Sequence, residues 1–306
     1  MTELNHFPWK TLINPRYWLV WIGLGLLWCL AQLPFSVQAH IGHGIGLLLY
    51  YFSARRRHIA SVNLRLCFPD LDHKAHKALL KANFKSLGMS FMEVVSGWWL
   101  SERRLRNRVN IEGLEHLENA LKEGKGVILL SAHFTCLEMG GRLLSLYAPF
   151  HVMYRSNENP VMEYFMRKNR DHHFEKAIPR DNAREMLKSL KQGKAVWYAS
   201  DQNFGHKYSV FADFFGIAAA TNTATSRLAR LSGARVIPFF PSRMDNDRGY
   251  TLKLYPPLQD FPGTDPKEDA TRINLLIEEQ VRQSPDQYLW VHRRFKDRPD
   301  QQAPLY

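Results

Sequence analysis

His133 and Glu138 stand five residues apart in Ser131-Ala132-His133-Phe134-Thr135-Cys136-Leu137-Glu138. An imidazole and a carboxylate are the minimum equipment for general-base chemistry. A neutral His can take the proton of an attacking hydroxyl, while a carboxylate fixes its tautomer and offsets the imidazolium as it forms. Geometry limits the pairing. On a regular helix, five steps of about 100° leave the two side chains about 140° apart. They meet only if His133 sits in the turn ahead of the helix. A plainer reading is also open, because Thr135-x-x-Glu138 has the spacing of a capping box.

The elements around the pair can be read from apolar patterning. Gly124-Lys125-Gly126 precedes Val127-Ile128-Leu129-Leu130, a short apolar run that predicts a strand buried on both faces. An amphipathic stretch from Thr135 to about Tyr147 predicts the following helix. The outline helix, glycine, strand then repeats. Leu114, Leu117 and Leu121 form a stripe stopped by Gly124; Met186, Leu187 and Leu190 form another, stopped by Gly193 before Ala195–Ala199. A third runs from Ala224 to Leu231, with Gly233 ahead of Val236–Phe240. His151–Tyr154 adds a strand, Tyr250–Leu254 an edge strand, and Asp265–Gln283 a closing helix. The pattern predicts an α/β fold with a mainly parallel sheet flanked by helices. His133, Arg155, Asp201-Gln202 and Ser242-Arg243 follow or end successive strands, on the rim where open parallel sheets bind ligands. Loops are polar for ordinary reasons too.

The 306 residues carry 41 Lys and Arg against 29 Asp and Glu, a net charge of +12, so anionic partners are expected. Three widely spaced cysteines offer neither a disulfide framework nor a zinc pattern. Tyr17 to Leu33 is an uncharged run containing Trp18, Trp21 and Trp28 and ended by Pro34, which predicts a membrane anchor helix. Ile41 to Phe52 is apolar but short and Gly-interrupted, suited to an interfacial or packing helix. Arg55-Arg56-Arg57 follows and places the remaining chain on the cytoplasmic side. A monotopic anchor is the other possibility. The division expected is an N-terminal membrane anchor over 1–53 and a catalytic domain over 54–306. From Ala54 to about Arg108 the chain is basic and helical, with Leu79-Leu80, Phe84, Leu87, Phe91 and Val94-Val95 on one face.

Absent motifs narrow the chemistry. There is no G-x-S-x-G, no G-x-x-x-x-G-K-[ST] and no H-E-x-x-H, which leaves a serine hydrolase elbow, a P-loop and a zincin without support. Adjacent His172-His173 lie badly for chelating one ion, and no metal is expected. Cys136 is read as a small buried helix residue. No nucleic-acid-binding motif accompanies the charge.

With His-x4-acid on a strand-to-helix turn behind an apolar segment, the sequence resembles the His-x4-Asp/Glu acyltransferases, and most the late acyltransferases of lipid A biosynthesis, the lauroyl and palmitoleoyl transferases. The likeness covers nearly the whole chain. It includes Pro15-Arg16-Tyr17-Trp18-Leu19, Asn63-Leu64-Arg65-Leu66-Cys67-Phe68-Pro69, His133 to Glu138, Tyr154-Arg155 with Asn159-Pro160, Trp197 to Gln202, and Trp290 to Lys296. The resemblance implies a glycerol-phosphate-acyltransferase-like fold at the inner membrane, single-pass, with the catalytic domain on the cytoplasmic side. It implies transfer of an acyl chain from acyl carrier protein to a hydroxyl of a Kdo-bearing lipid A precursor. No cofactor is expected beyond the carrier thioester. The same chemistry would serve a phospholipid-pathway glycerol-phosphate or lysophosphatidate acyltransferase. His133 and Glu138 are then the catalytic pair, with His133 kept neutral by a helix N-terminus. Arg155, Asn159, Asp201 and Gln202 are candidates for substrate binding or the oxyanion. His292, Arg293, Arg294 and Lys296 are candidates for phosphate or carrier contacts. Where the family leads one to expect Asp-Tyr-Gly after Asp201-Gln202, this chain has Asn203-Phe204-Gly205, so no role is carried to residue 203.

Overall fold

Val127–Ser131 (β2) is buried at every position, as an apolar run without alternation requires, and it lies at the centre of a seven-stranded sheet. The computed structural model describes residues 14–205, 208–245, 248–299 and 302–306. The other strands of the sheet are β1 (Val109–Glu112), β3 (His151–Tyr154), β4 (Lys176–Pro179), β5 (Ala195–Ala199), β8 (Arg235–Arg243) and β9 (Tyr250–Leu254). Their order is β1-β9-β8-β2-β5-β3-β4. Every pairing is parallel except that of β8 with β9. A separate antiparallel pair, β6 (Ser209–Phe214) with β7 (Ile217–Asn222), packs against the last helix. The α/β expectation holds. Tyr250–Leu254 is a strand but not an edge: β1, whose Val-Asn-Ile-Glu alternates half-buried and exposed, lies outside it.

Helices α1 (Trp18–Gln32), α2 (Phe35–Phe52), α3 (Ala54–Cys67), α4 (His73–Trp99) and α5 (Glu102–Arg106) precede the sheet. Within it come α6 (Leu114–Lys122), α7 (Leu137–Leu144), α8 (Pro160–His173), α9 (Ala183–Lys191), α10 (Ala224–Ser232) and α11 (Pro266–Gln283). Gly124 and Gly193 stop their helices at φ of +70° and +75°, a left-handed conformation that costs glycine no Cβ clash. Glycine serves a different end in α7. A Cβ on Gly140 would stand 2.4 Å from Pro241 of β8, and one on Gly141 would stand 2.3 Å from the Trp197 ring of β5. Two bare backbone positions thus let α7 lie close on the sheet, which fixes the turn between β2 and α7.

The spanning helix expected at the N-terminus finds no support. Among the described residues, no helix is long and apolar enough to cross a membrane. Pro34 does end α1, but α1 has 15 residues, about 22 Å of helix against a hydrocarbon core of about 30 Å. Helix α2 belongs to the protein interior on one side: a Cβ on Gly46 would stand 2.1 Å from the Phe84 carbonyl oxygen, so α2 and α4 touch backbone to backbone. Phe35 and Ala39 of α2 join the same core as the sheet. Packing therefore runs continuously across position 53.

Candidate active site

The turn between β2 and α7 holds His133 ahead of the helix, as its sequence position requires. Its partner, however, comes from the end of the neighbouring strand. His133 Nδ1 lies 2.6 Å from Asp201 Oδ1, and the His133 backbone N–H donates to Asp201 Oδ2 at 3.0 Å. One carboxylate thus holds both the ring and the backbone of the base. β2 and β5 pair in parallel with Ser131 opposite Ala199, so both strands deliver their next polar residues to one rim. The Tyr288 hydroxyl donates to Asp201 Oδ2 at 2.8 Å. With Nδ1–H given to Asp201, the lone pair resides on Nε2. The His133 side chain is 27 % exposed and lines a cavity of about 530 Å³.

Electrostatics follow from this geometry. Burial alone would lower the His133 pKa, but the Asp201 charge and hydrogen bond outweigh it, and the net shift is upward from 6.5. Burial alone would raise Asp201, yet the His133 charge and the bonds from His133 and Tyr288 bring it down to about 2. The expectation that a helix N-terminus keeps His133 neutral is replaced by a pair in which Asp201 sets the base.

Glu138 is not the carboxylate bound to the imidazole. It is the second residue of α7, with its side chain 57 % exposed, facing the same cavity and 3.9 Å from Arg170 of α8. The capping box does not form either. The Thr135 hydroxyl lies 2.7 Å from Ser86 Oγ and accepts from Arg243 at 2.9 Å, and α7 starts two residues later without a side-chain cap. Arg243 is itself buried in an ion pair with Glu93 of α4, to which the Tyr250 hydroxyl also donates, at 2.9 Å. It supports the turn from behind rather than facing the cavity.

The remaining candidates separate clearly. Arg155 and Gln202 line the His133 cavity. Asn159 does not: its side chain caps α8, accepting from the Val161 and Met162 N–H groups, with Pro160 in the first turn. Arg294 is 1 % exposed and donates to Ala220, Thr221 and Asn274, so it is an internal brace and not a phosphate or carrier contact. Arg293 and Lys296 line a second, basic cavity. The sequence reading missed Tyr288 and two cavity cations, Arg170 and Arg180. One nitrogen of Arg170, Nη1, is buried without a hydrogen-bond partner among the described residues. The cavity is otherwise largely apolar, with Val152, Met153, Phe174, Trp197 and Ala199 in its wall.

A base oriented by a buried acid, at the rim of a parallel sheet and over a cavity able to hold a hydrocarbon chain, describes an enzyme of the acyltransferase class. Residues 4–297 match the family model for bacterial lipid A biosynthesis acyltransferases, and the chain belongs to that family. It is 38 % identical over 301 residues to the lipid A biosynthesis lauroyltransferase of Escherichia coli K12, covering 98 % of each chain. Its identity to the palmitoleoyltransferase of the same organism is 39 % over 298 residues, 97 % of each. A lipid A biosynthesis acyltransferase of Haemophilus influenzae is 34 % identical over 296 residues, covering 95 % of this chain and 94 % of that one. A solved 1-acyl-sn-glycerophosphate acyltransferase from Thermotoga maritima overlays with a TM-score of 0.39 and 12 % identity, over 81 % of this chain and 98 % of that one.

Proposed function

We propose that the protein moves a fatty acyl chain, lauroyl or of similar length, from acyl carrier protein to a hydroxyl of a Kdo-bearing lipid A precursor. The observation that carries the reading is the His133–Asp201 pair, with Nε2 unbonded among the described residues, at a cavity that sets apolar side chains beside Arg155, Arg170 and Arg180; the names of the relatives supply the substrate class. The acceptor oxygen attacks the thioester carbonyl carbon as its proton passes to Nε2 of His133. The tetrahedral intermediate then collapses with loss of the carbon–sulfur bond, and the leaving thiolate takes the proton back from the imidazolium. Asp201 holds the tautomer and offsets the imidazolium charge; Tyr288 holds Asp201. Such a base contributes roughly 10²- to 10⁴-fold. Arg155 and Arg170 are the nearby cations suited to the oxyanion. Purified protein given acyl carrier thioester and either a Kdo-bearing precursor or lysophosphatidate, with product mass read by mass spectrometry, tests the reading. Acylation of lysophosphatidate in preference to the precursor would overturn it.

The site of action is the cytoplasmic face of the inner membrane. Trp18, Leu19, Ile22, Leu26 and Trp28 of α1 are each more than half exposed. A short helix with such a face suits the membrane interface, lying on the bilayer rather than across it. Replacing Leu19, Ile22 and Leu26 with Ser should release the protein from membranes while α2 stays seated on α4. Retention after a high-salt wash would place the attachment elsewhere.

A further inference from the structure

Two cavities share a wall at Phe204, a residue 63 % exposed. One contains His133. The other, of about 600 Å³, is lined by Arg55, Arg56, Arg293 and Lys296, with Asp297 the single carboxylate among the described residues of its lining. We infer that this second cavity receives the anionic head of the acceptor, a phosphorylated or carboxylated sugar, while the hydroxyl to be acylated reaches His133 past Phe204. The inference rests on the acceptor class proposed above and adds the place where it is recognised.

Three features favour that occupant. The volume lies within the range of small-molecule sites and exceeds what a lone phosphate needs. Arginine forks match the paired oxygens of phosphate and carboxylate. Most of all, the cations are held in advance on two backbones tied together. Arg56 of α3 donates to the Val291 carbonyl at 3.2 Å, and Asn63 of the same helix donates to the Trp290 and His292 carbonyls at 2.7 Å each. The Tyr306 hydroxyl donates in turn to the Asn63 side chain. Binding therefore spends little on ordering the site. His292 adds no charge: burial lowers its pKa to about 4, and its Nε2 accepts the Asn203 N–H at 3.1 Å. It braces the wall next to Phe204. A further basic cavity, with Arg57, His58, Arg65 and Lys77, shares no lining residue with the His133 cavity. An acceptor must lie next to the base, whereas a carrier with a long flexible arm need not, so the cavity at Phe204 falls to the acceptor.

The test is steady-state kinetics on the full-length protein, with wild type, Arg55→Gln, Arg293→Gln, Lys296→Gln and Arg55→Lys. Three acceptors are compared: the intact precursor, one lacking phosphate and one lacking the carboxylated sugars. Each Gln variant should raise KM for the intact acceptor roughly 10- to 100-fold, the effect of one lost charge-assisted contact. At saturation kcat should stay within about threefold, and Arg55→Lys should recover part of the loss. With the acceptor that lacks the recognised anion, variants and wild type should have equal KM, which identifies phosphate or carboxylate as the group held. Melting curves check each fold, and the exposed Lys296 position keeps the test available if Arg293→Gln fails to fold. The inference is overturned by the same KM ratio on all three acceptors, or by a rise in KM for the carrier thioester instead. Wild-type protein inactive on every acceptor of this class would defeat the reading beneath it, and the inference with it.

Discussion

Two buried carboxylates, Glu93 and Asp201, hold nitrogen-bearing side chains with opposite careers. Glu93 and Arg243 are 2 % and 6 % exposed at their side chains, and each nitrogen of Arg243 that points inward has a partner: Glu93, Ser86 or Thr135. His133 and Asp201 are 27 % and 2 % exposed, and the imidazole spends only Nδ1 on its acid. Both pairs stand behind the same turn, since Arg243 bonds Thr135 two residues after the base. What separates scaffold from chemistry is therefore not burial or charge but one nitrogen left facing a cavity.

The sharpest way to break this contrast is Asp201→Asn. Turnover should fall roughly 10³- to 10⁴-fold, since an amide can present the wrong group to the ring and offers no charge to the imidazolium. The pH profile should move too. In the wild type, kcat/KM should rise with pH through a midpoint above 6.5, because the base must lose its proton and Asp201 raises its pKa. Without that charge, burial remains, and the midpoint should drop below 6.5. An unmoved limb would mean that Asp201 does not set the base.

Next in size, Arg243→Met should destabilise the fold by about 3–5 kcal/mol, because it strands the Glu93 carboxylate. Below its lowered melting temperature the variant should keep the wild-type pH midpoint, and denaturant melts paired with a pH–rate profile decide it. Tyr288→Phe removes one neutral donor from Asp201 and should cost roughly tenfold in kcat, with little change in KM. The smallest shift is expected for Glu138→Gln. Whatever it costs in turnover, its pH midpoint should stay with the wild type, since Glu138 lies 3.9 Å from Arg170 and is not the carboxylate that holds the imidazole. A downward move like that of Asp201→Asn would return Glu138 to the role of orienting acid.

β2, β5 and β8 and the glycines ahead of them were legible because each strand is a short apolar run with one task, burial, whereas β1, β4, β6 and β7, partly exposed and mixed in composition, were not read from the sequence. His133 was legible for the same reason, as the first polar residue past β2. Its partner was not, because Asp201 lies 68 positions away and only strand order brings it near; a nearby Glu at a familiar spacing drew attention instead. The capping box failed because a tertiary partner, Arg243, claimed the Thr135 hydroxyl. Arg294 stood with Arg293 and Lys296 as a candidate phosphate or carrier contact, and the packing of β7 against it leaves no mark in the local sequence. Asn159-Pro160 did carry a usable signal, since Asn before Pro is a common helix start. Tyr288 carried none: nothing in its neighbours distinguishes a buried hydroxyl aimed at an acid from an ordinary core Tyr.

The segment that completes the site has a consequence for how the protein comes to be active. Asn83 of α4 donates to the Asp286 and Tyr288 carbonyls, Leu289 N–H donates to the His133 carbonyl, and Phe134 forms a β-bridge with Tyr288. The partners are separated by 203 and 205 positions in the first two cases. Contacts that close loops of this length form against a large entropy cost and tend to come late in folding. Tyr288 lies in that segment and its hydroxyl donates to Asp201, so a chain with the segment undocked lacks one of the bonds that hold the acid beside His133.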